Sequence, residues 1–211
     1  MTILENKDAY HLIDSCDLAK EAYLKLKPMR TYSLETYQHT IRVATLAYWF
    51  GQQLMLDVSQ SEFLFISGLL HDVGKMKTPL EILHKSGRFS PSERKIMNEH
   101  AFNSYLMAKD NARLKNAALI GCLHHERWDG TGYPLSLKGN QIPYLSQIIS
   151  IVDVWDAMVS DRIYRKGMSQ TAALSVLKKE KFNGQFDPSL VERFTTFILG
   201  NTCEYGRLNR N

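Results

Sequence analysis

Two short segments of the sequence place histidine beside an acid at spacings that suit metal binding. Glu35 and His39 are four residues apart, so both project from one face if the segment is helical. His71 and Asp72 are adjacent in HDVGK, where Gly74 allows the backbone to turn. Taken alone, the Glu35–His39 pair is better interpreted as an ordinary surface interaction. Imidazole mixed with carboxylate suits manganese, iron, zinc or nickel better than calcium or magnesium alone.

Further candidate ligands follow along the chain. His124 and His125 are adjacent, and side chains at neighbouring helical positions diverge by about 100°, so they suit different metals or different sides of one cluster. Asp153 is flanked by apolar residues in SIVDVWDAM, where a carboxylate needs a partner or a metal. With His100 there are too many donors for one ion, and the absence of cysteine among them argues against structural zinc. A cluster of two or three metals can activate water and hold phosphate oxygens during in-line displacement.

The elements that must position these residues are predicted to be helices. Helical periodicity dominates and strand-like alternation is scarce. The segment SPSE predicts a helix start, because Ser90 can cap, Pro91 suits the first position and Glu93 completes a capping box. A loop rich in glycine and proline follows Trp128. The predicted helices cover about residues 8–26, 33–56, 59–71, 90–109, 114–126, 144–161, 169–181 and 188–199.

Composition narrows the class of protein. The chain has 211 residues with 44% hydrophobic and 23% charged side chains, which suits one globular domain. The net charge is +4 without a basic run, so a nucleic acid polymer is not the expected partner. Three scattered cysteines indicate no disulfide framework. The longest apolar stretch, FLFISGLL, is far below the ~20 residues of a membrane span. A cytoplasmic protein is predicted.

A family resemblance rests on seven segments that occur in the family's order. They are HTIRVATLA, HDVGK, TPLEIL, HHERWDGTGYP, GNQIP, VDVWDAM and DRIYR. From about Ser33 to Leu199 the sequence resembles the HD-GYP domain, the cyclic di-GMP phosphodiesterase branch of the HD metal-dependent phosphohydrolases. The resemblance implies an all-α, single HD-type helical domain of about eight helices with a long GYP loop. The expected divisions are a helical lead-in over 1–32, the catalytic domain over 33–200 and a tail over 201–211.

The resemblance also implies a role for each candidate residue. Asp72 is the expected bridging carboxylate, and Glu35 is expected only in members that hold three metals. The expected cofactors are two or three divalent ions, iron or manganese. The metal ligands implied are Glu35, His39, His71, Asp72, His100, His124, His125 and Asp153. The residues implied to contact substrate are Lys75, Tyr133, Arg162 and Arg165, with Asp72 and Lys75 as the catalytic pair.

The activity implied is hydrolysis of cyclic di-GMP to linear pGpG, with GMP after a second cleavage. One alternative is an HD phosphohydrolase for another nucleotide, such as cyclic GMP-AMP. Another is a non-catalytic receptor or interaction module whose partner is a diguanylate cyclase or a second copy of the chain. Every ligand position is filled, which favours the enzyme. Departures from the family pattern are Ser104 for glycine, Gln147 for arginine and Ile163 for proline. They bear on substrate positioning more than on metal binding.

Overall fold

The computed structural model of the protein describes residues 3–161 and 166–200. Within these ranges every regular element is a helix, which confirms the all-α prediction. The α-helices are α1 Ile3–Ser15, α2 Asp17–Leu26, α3 Met29–Tyr32, α4 Leu34–Gln53, α5 Val58–Leu70, α6 Leu80–Leu83, α7 Pro91–Leu106, α8 Lys115–Cys122, α9 Tyr144–Val159, α10 Gln170–Phe182 and α11 Pro188–Gly200. Short 3-10 turns cover Val73–Lys77, Leu123–His125 and Gly139–Gln141.

The described residues contain eleven α-helices, three more than the sequence pattern predicts. The first predicted helix is divided at Cys16, whose backbone is extended, with φ −133° and ψ 124°. The helices α3 and α6 have four residues each, too few to show a helical period. The helix predicted to reach Glu126 ends at Cys122, and a 3-10 turn carries the two adjacent histidines instead.

Side-chain caps begin the helices that lead to the candidate site. The Ser33 hydroxyl accepts a hydrogen bond from the Thr36 amide at the start of α4. At the start of α7, Ser90 and Glu93 form the predicted capping box, with Pro91 in the first turn. A further capping box, which was not predicted from the sequence, is formed by Asp57 and Gln60 at the start of α5. Each such cap satisfies amide groups that have no partner inside the helix.

Helices α4 and α5 form the centre of the fold, because each contributes to both hydrophobic clusters of the core. One cluster joins them to α9, α10 and α11. The other joins them to α1, α2 and α8. The apolar stretch in α5 is buried from Leu64 to Leu70, which explains its continuous hydrophobicity without a bilayer. None of the described helices is both long and apolar enough to cross a membrane.

Candidate metal centre

Asp72 lies at the centre of a buried group of histidines. It comes one residue after His71, the C-cap residue of α5, and it is fully buried. Four imidazole Nε2 atoms approach its carboxylate oxygens. The distances are 3.3 Å for both His71 and His100, 3.7 Å for His39 and 3.9 Å for His124. Residues from four separate helical segments therefore converge on one carboxylate.

His125 and Asp153 extend this group in two directions. The Nε2 atoms of His125 and His100 are 3.1 Å apart. On the other side, an Asp153 oxygen lies 2.9 Å from His39 Nε2. Three sets of donors, each with ligand atoms within 4.8 Å of one another, could hold a metal ion: His100–His124–His125, His39–His71–Asp153 and His71–Asp72–His124. The sets share members, so the donors form one continuous cluster.

Three of the histidines are oriented by backbone carbonyls of their own helical segments. The Nδ1 atoms of His71, His100 and His124 lie 2.6–2.7 Å from the carbonyl oxygens three residues earlier. A carbonyl can only accept, so Nδ1 carries the proton and donates it. The other nitrogen, Nε2, is left with its lone pair directed at the cluster, which is the form that binds metal.

His39 is oriented by a side-chain carboxylate instead. Its Nδ1 lies 2.7 Å from an Asp156 oxygen. Arg42 donates two hydrogen bonds to the same carboxylate, from Nε at 2.7 Å and from Nη2 at 2.8 Å. The prediction from sequence did not include Asp156. Its position three residues after Asp153, on the apolar helix α9, was the available indication of a role.

The charges in the cluster keep the carboxylates ionised. Burial alone would raise the pKa of Asp72, but His71, Lys75 and His100 hold it well below its usual range. The Lys75 ammonium lies 2.5 Å from an Asp72 oxygen. Burial alone would lower the pKa of His39, but hydrogen bonds to Asp153 and Asp156 raise it to about 9. Metal binding at His39 Nε2 therefore releases a proton.

The adjacent histidines have the opposite electrostatic environment. Burial and the nearby His71 together lower the pKa of His124 to about 3. Burial and the neighbouring imidazoles of His124 and His100 hold the pKa of His125 well below its ordinary value. Both imidazoles are therefore neutral at pH 7, as metal ligands must be.

Unsatisfied polar atoms show that the cluster suits metal ions. His71 Nε2, His124 Nε2 and Asp72 Oδ1 are buried without a hydrogen-bond partner. Leaving such groups unpaired in a protein interior costs about 1–3 kcal/mol each. Imidazole and carboxylate donors match iron, manganese, zinc or nickel. The residues present thus fit a divalent metal cluster.

Glu35 occupies a less direct position. It is half-buried near the start of α4 and lines the same groove as His39 and Lys75. It is not a member of the three donor sets found among the described residues. Its role as a ligand of a third metal stays a prediction.

The departure at Ser104 has a local structural consequence. Its buried hydroxyl accepts from the Gly74 amide at 2.9 Å and lies 2.8 Å from the His71 carbonyl and 3.0 Å from that of His100. A Cβ at Gly74 would overlap the His100 carbonyl oxygen. Ser104 therefore fastens the turn after His71 to α7, at a contact that only glycine permits.

The GYP loop packs against the histidine cluster. The Tyr133 ring stacks on His125, with the ring centroids 4.7 Å apart. Buried Glu126 accepts from the amides of Leu135 and Leu137 at 2.6 and 2.8 Å. Burial raises the pKa of the Tyr133 hydroxyl, so this hydroxyl stays protonated and can donate.

A second set of contacts closes the first turn of the loop. Asp129 accepts from the Thr131 amide at 2.8 Å and the Thr131 hydroxyl at 2.6 Å, and Gly130 has φ +85°. Asp129 thus fastens the loop, and glycine suits the left-handed backbone beside it.

A groove of about 690 Å³ opens beside the cluster. Glu35, His39 and Lys75 line it, and the α6–α7 connection and α7 contribute cationic residues, among them Arg88 and Arg94, to the rest of its lining. The predicted substrate residue Lys75 therefore faces both Asp72 and the groove. The other predicted substrate residues, Arg162 and Arg165, lie outside the described residues, as does the Ile163 departure.

The chain is similar to a known protein family and to curated proteins. A family model described as HD domain matches residues 24–190. The chain is 37% identical over 178 residues to a cyclic di-GMP phosphodiesterase of Pseudomonas aeruginosa, covering 84% of this chain and 42% of that protein. It is 35% identical over 175 residues to a 3'3'-cGAMP-specific phosphodiesterase of Vibrio cholerae, covering 82% and 39%. It spans less than half the length of both relatives.

A solved structure with a similar fold is the HDG"Y"P protein from Bdellovibrio bacteriovorus. The TM-score is 0.61 at 22% sequence identity, covering 74% of this chain and 49% of that one. At this level of identity the likeness concerns the fold. It supports an HD-type helical architecture for the described residues.

Proposed function

The chain belongs to the HD domain family, and we propose that it is a metal-dependent phosphodiesterase that hydrolyses cyclic di-GMP. The observation that carries the proposal is the fully buried Asp72 carboxylate, approached by four imidazole Nε2 atoms next to an open groove that His39 and Lys75 line. The names of the relatives, cyclic di-GMP and cGAMP phosphodiesterases, support a cyclic dinucleotide as substrate. The expected products are linear pGpG and, after a second cleavage, GMP.

The donors suit two divalent ions, which we propose to be iron or manganese. One ion is assigned to the His100, His124 and His125 side of the cluster. The other is assigned to the side of His39, His71 and Asp153, with Asp72 shared between them. When bound, such ions activate water and neutralise phosphate oxygens. A third ion would need Glu35, whose place in the groove is compatible with that role.

The other residues of the site act on the substrate. The Lys75 ammonium lies beside Asp72 and lines the groove, so it is placed to stabilise negative charge on the phosphate that is cleaved. Tyr133, fixed by its stack on His125, forms a wall beside that phosphate. We assign Arg162 and Arg165 to the second phosphate, because arginine binds phosphate through its planar fork.

Two alternatives remain as rival proposals. Hydrolysis of cyclic GMP-AMP is favoured by the similarity to a 3'3'-cGAMP-specific enzyme. A non-catalytic receptor that contacts a diguanylate cyclase or a second copy of the chain would bind the ligand without turnover. Action in the cytoplasm, where three scattered cysteines stay reduced, also remains a proposal.

The proposal predicts that Asp72→Ala abolishes turnover and removes metal, because its carboxylate is the element shared by both donor sides. Metal content is measured by elemental analysis, and linear product is measured by chromatography after incubation with cyclic di-GMP. Asp110→Ala is the control, because Asp110 is exposed and outside the cluster. Full activity in Asp72→Ala would overturn the assignment. Binding without turnover in the metal-loaded parent protein would favour the receptor.

A further inference from the structure

Arg94 and Phe89 form a preorganised cationic wall in the groove beside the metal centre. The Arg94 guanidinium carbon lies 4.8 Å from the centre of the Phe89 ring, and both residues line the groove. A cation held over an aromatic face in this way is stabilised by about 0.5–1 kcal/mol at an exposed site. Although the Arg94 side chain is exposed, its guanidinium is therefore held over the Phe89 ring.

The start of α7 explains why these two residues meet. Ser90 is the N-cap residue, so Phe89 precedes the cap and Arg94 is the fourth helical residue. Side chains at these two positions commonly pack together and fix the entry of the chain into the helix. The Ser90–Glu93 capping box sets the backbone geometry of this turn. The Arg94–Phe89 contact thus follows from local sequence.

The Arg94 guanidinium forms no ion pair with a carboxylate of the described residues. Among the described residues, neither Arg94 nor the nearby Arg88 has a carboxylate partner. By contrast, Lys85 in the same groove lies 2.6 Å from a Glu93 oxygen. The hydrogen-bond donors of Arg94 are therefore available to a ligand in the groove.

The position of Arg94 separates it from the phosphate chemistry. It precedes His100 by six residues on α7, which is about 9 Å along the helix axis. Arg94 thus faces the groove beyond the metal donors. The bases are the parts of a cyclic dinucleotide that extend furthest from its phosphates.

We propose that Arg94, backed by Phe89, is a guanine-binding subsite of this groove. The proposal rests on the proposed function and adds a basis for choosing the nucleobase. The planar guanidinium can donate two parallel hydrogen bonds to guanine O6 and N7. Adenine presents an amino donor where guanine presents O6, so the same fork opposes it. Arg94 is thereby a specificity-determining residue.

The test compares Arg94→Ala with the parent protein on two cyclic dinucleotides. Hydrolysis of bis(p-nitrophenyl) phosphate, which is too small to span the groove, reports on the metal centre alone. Cyclic di-GMP and cyclic di-AMP are each titrated as competitors of that reaction, so their inhibition constants are measured whether or not they are cleaved. The expected result is an inhibition constant for cyclic di-GMP that rises about 10- to 100-fold. The inhibition constant for cyclic di-AMP should change less than twofold.

Two further variants test the geometry of the contact. Arg94→Lys keeps the charge but loses the fork, so it should lose most of the preference for cyclic di-GMP. Lys95→Ala is the matched control, because Lys95 is the next exposed residue on α7 and does not line the groove. Lys95→Ala should leave unchanged both inhibition constants and the rate of bis(p-nitrophenyl) phosphate hydrolysis. Equal hydrolysis of bis(p-nitrophenyl) phosphate by all variants shows that each folds and keeps its metal centre.

The outcomes separate this proposal from the proposed function. An equal loss for both dinucleotides would assign Arg94 to phosphate and overturn the guanine subsite, as would no loss at all. If the parent protein binds cyclic di-GMP through Arg94 but does not cleave it, the subsite stands and the phosphodiesterase fails. If it does not bind cyclic di-GMP, both are overturned.

Discussion

His39 differs from the other histidines of the cluster in the group that orients it. His71, His100 and His124 donate from Nδ1 to neutral carbonyl groups. His39 instead has the Asp156 carboxylate at 2.7 Å. A carboxylate makes the imidazole a stronger electron donor to a metal and fixes its ring, and loss of such partners typically weakens metal binding. Asp156, which is not itself a metal donor, can therefore tune the metal affinity of the side of the cluster that contains His39.

At this scale we predict that Asp156→Asn lowers metal affinity about 10- to 100-fold without unfolding the protein. The amide keeps the shape of the side chain but removes its negative charge from His39 and Arg42. Metal affinity is measured by competition with a chelator, and folding by circular dichroism.

The control for this variant is Asp161→Asn. Asp161 is exposed just beyond the same helix and pairs with Lys166 at 2.7 Å. Asp161 makes no contact with the described histidines, so the metal affinity of the Asp161→Asn variant should match that of the parent protein. Equal affinity in Asp156→Asn and Asp161→Asn would show that Asp156 does not tune His39.

Helix ends and helix interiors supply the cluster in different ways. His71 and the adjacent His124 and His125 follow the last turns of α5 and α8, where the backbone changes direction. His39, His100 and Asp153 project from within α4, α7 and α9. The close contact of the turn after His71 with α7, through Gly74 and Ser104, sets the distance between these elements.

At the scale of the elements, we predict that Gly74→Ala destabilises the protein and weakens the packing of the turn after His71 against α7. The added Cβ would overlap the His100 carbonyl and lie 2.9 Å from the Asn103 carbonyl carbon. Overpacking of this kind costs about 1–3 kcal/mol, which denaturant unfolding can measure. Gly87→Ala is the matched control, because a Cβ at Gly87 meets no atom within 4 Å. Equal stability of the two variants would contradict the proposed contact.

Over the whole molecule, the N-terminal helices share the core that supports the metal centre. Buried residues of α1 and α2 pack in one cluster with Ile41 of α4 and Leu69 and Leu70 of α5. The latter two immediately precede His71 and Asp72. The division at residue 32 between a lead-in and a catalytic domain stays a prediction from sequence. Packing couples the two segments on either side of it.

The corresponding prediction concerns two leucines of α2. Leu26 is fully buried and Leu24 is 63% exposed. Leu26→Ala should cost about 2–5 kcal/mol by leaving a cavity, whereas Leu24→Ala should stay within about 0.5 kcal/mol of the parent protein. Denaturant titration gives both values. If Leu26→Ala is no less stable than Leu24→Ala, the N-terminal helices do not contribute to the common core.

The sequence alone determined the features that depend on residue type and local spacing. The capping box at Ser90 and the helical class follow from contacts between residues close in the chain, and the structure agrees. The family and its candidate ligands followed from motifs. The short helices α3 and α6 escaped prediction because one turn has no period to detect.

Only the tertiary structure decided which side chains meet across long separations. Asp156 contacts His39 across 117 residues, and no local pattern encodes that distance. Asp153 and Asp156 lie on the same helix, yet they face different nitrogens of one imidazole because of how α9 packs on α4. Likewise, Phe89 and Arg94 meet for local reasons, but only the packing of α7 against α8 and the turn after His71 places them in a groove with His39. Local chemistry selects the candidates, and packing brings together those that can act as one site.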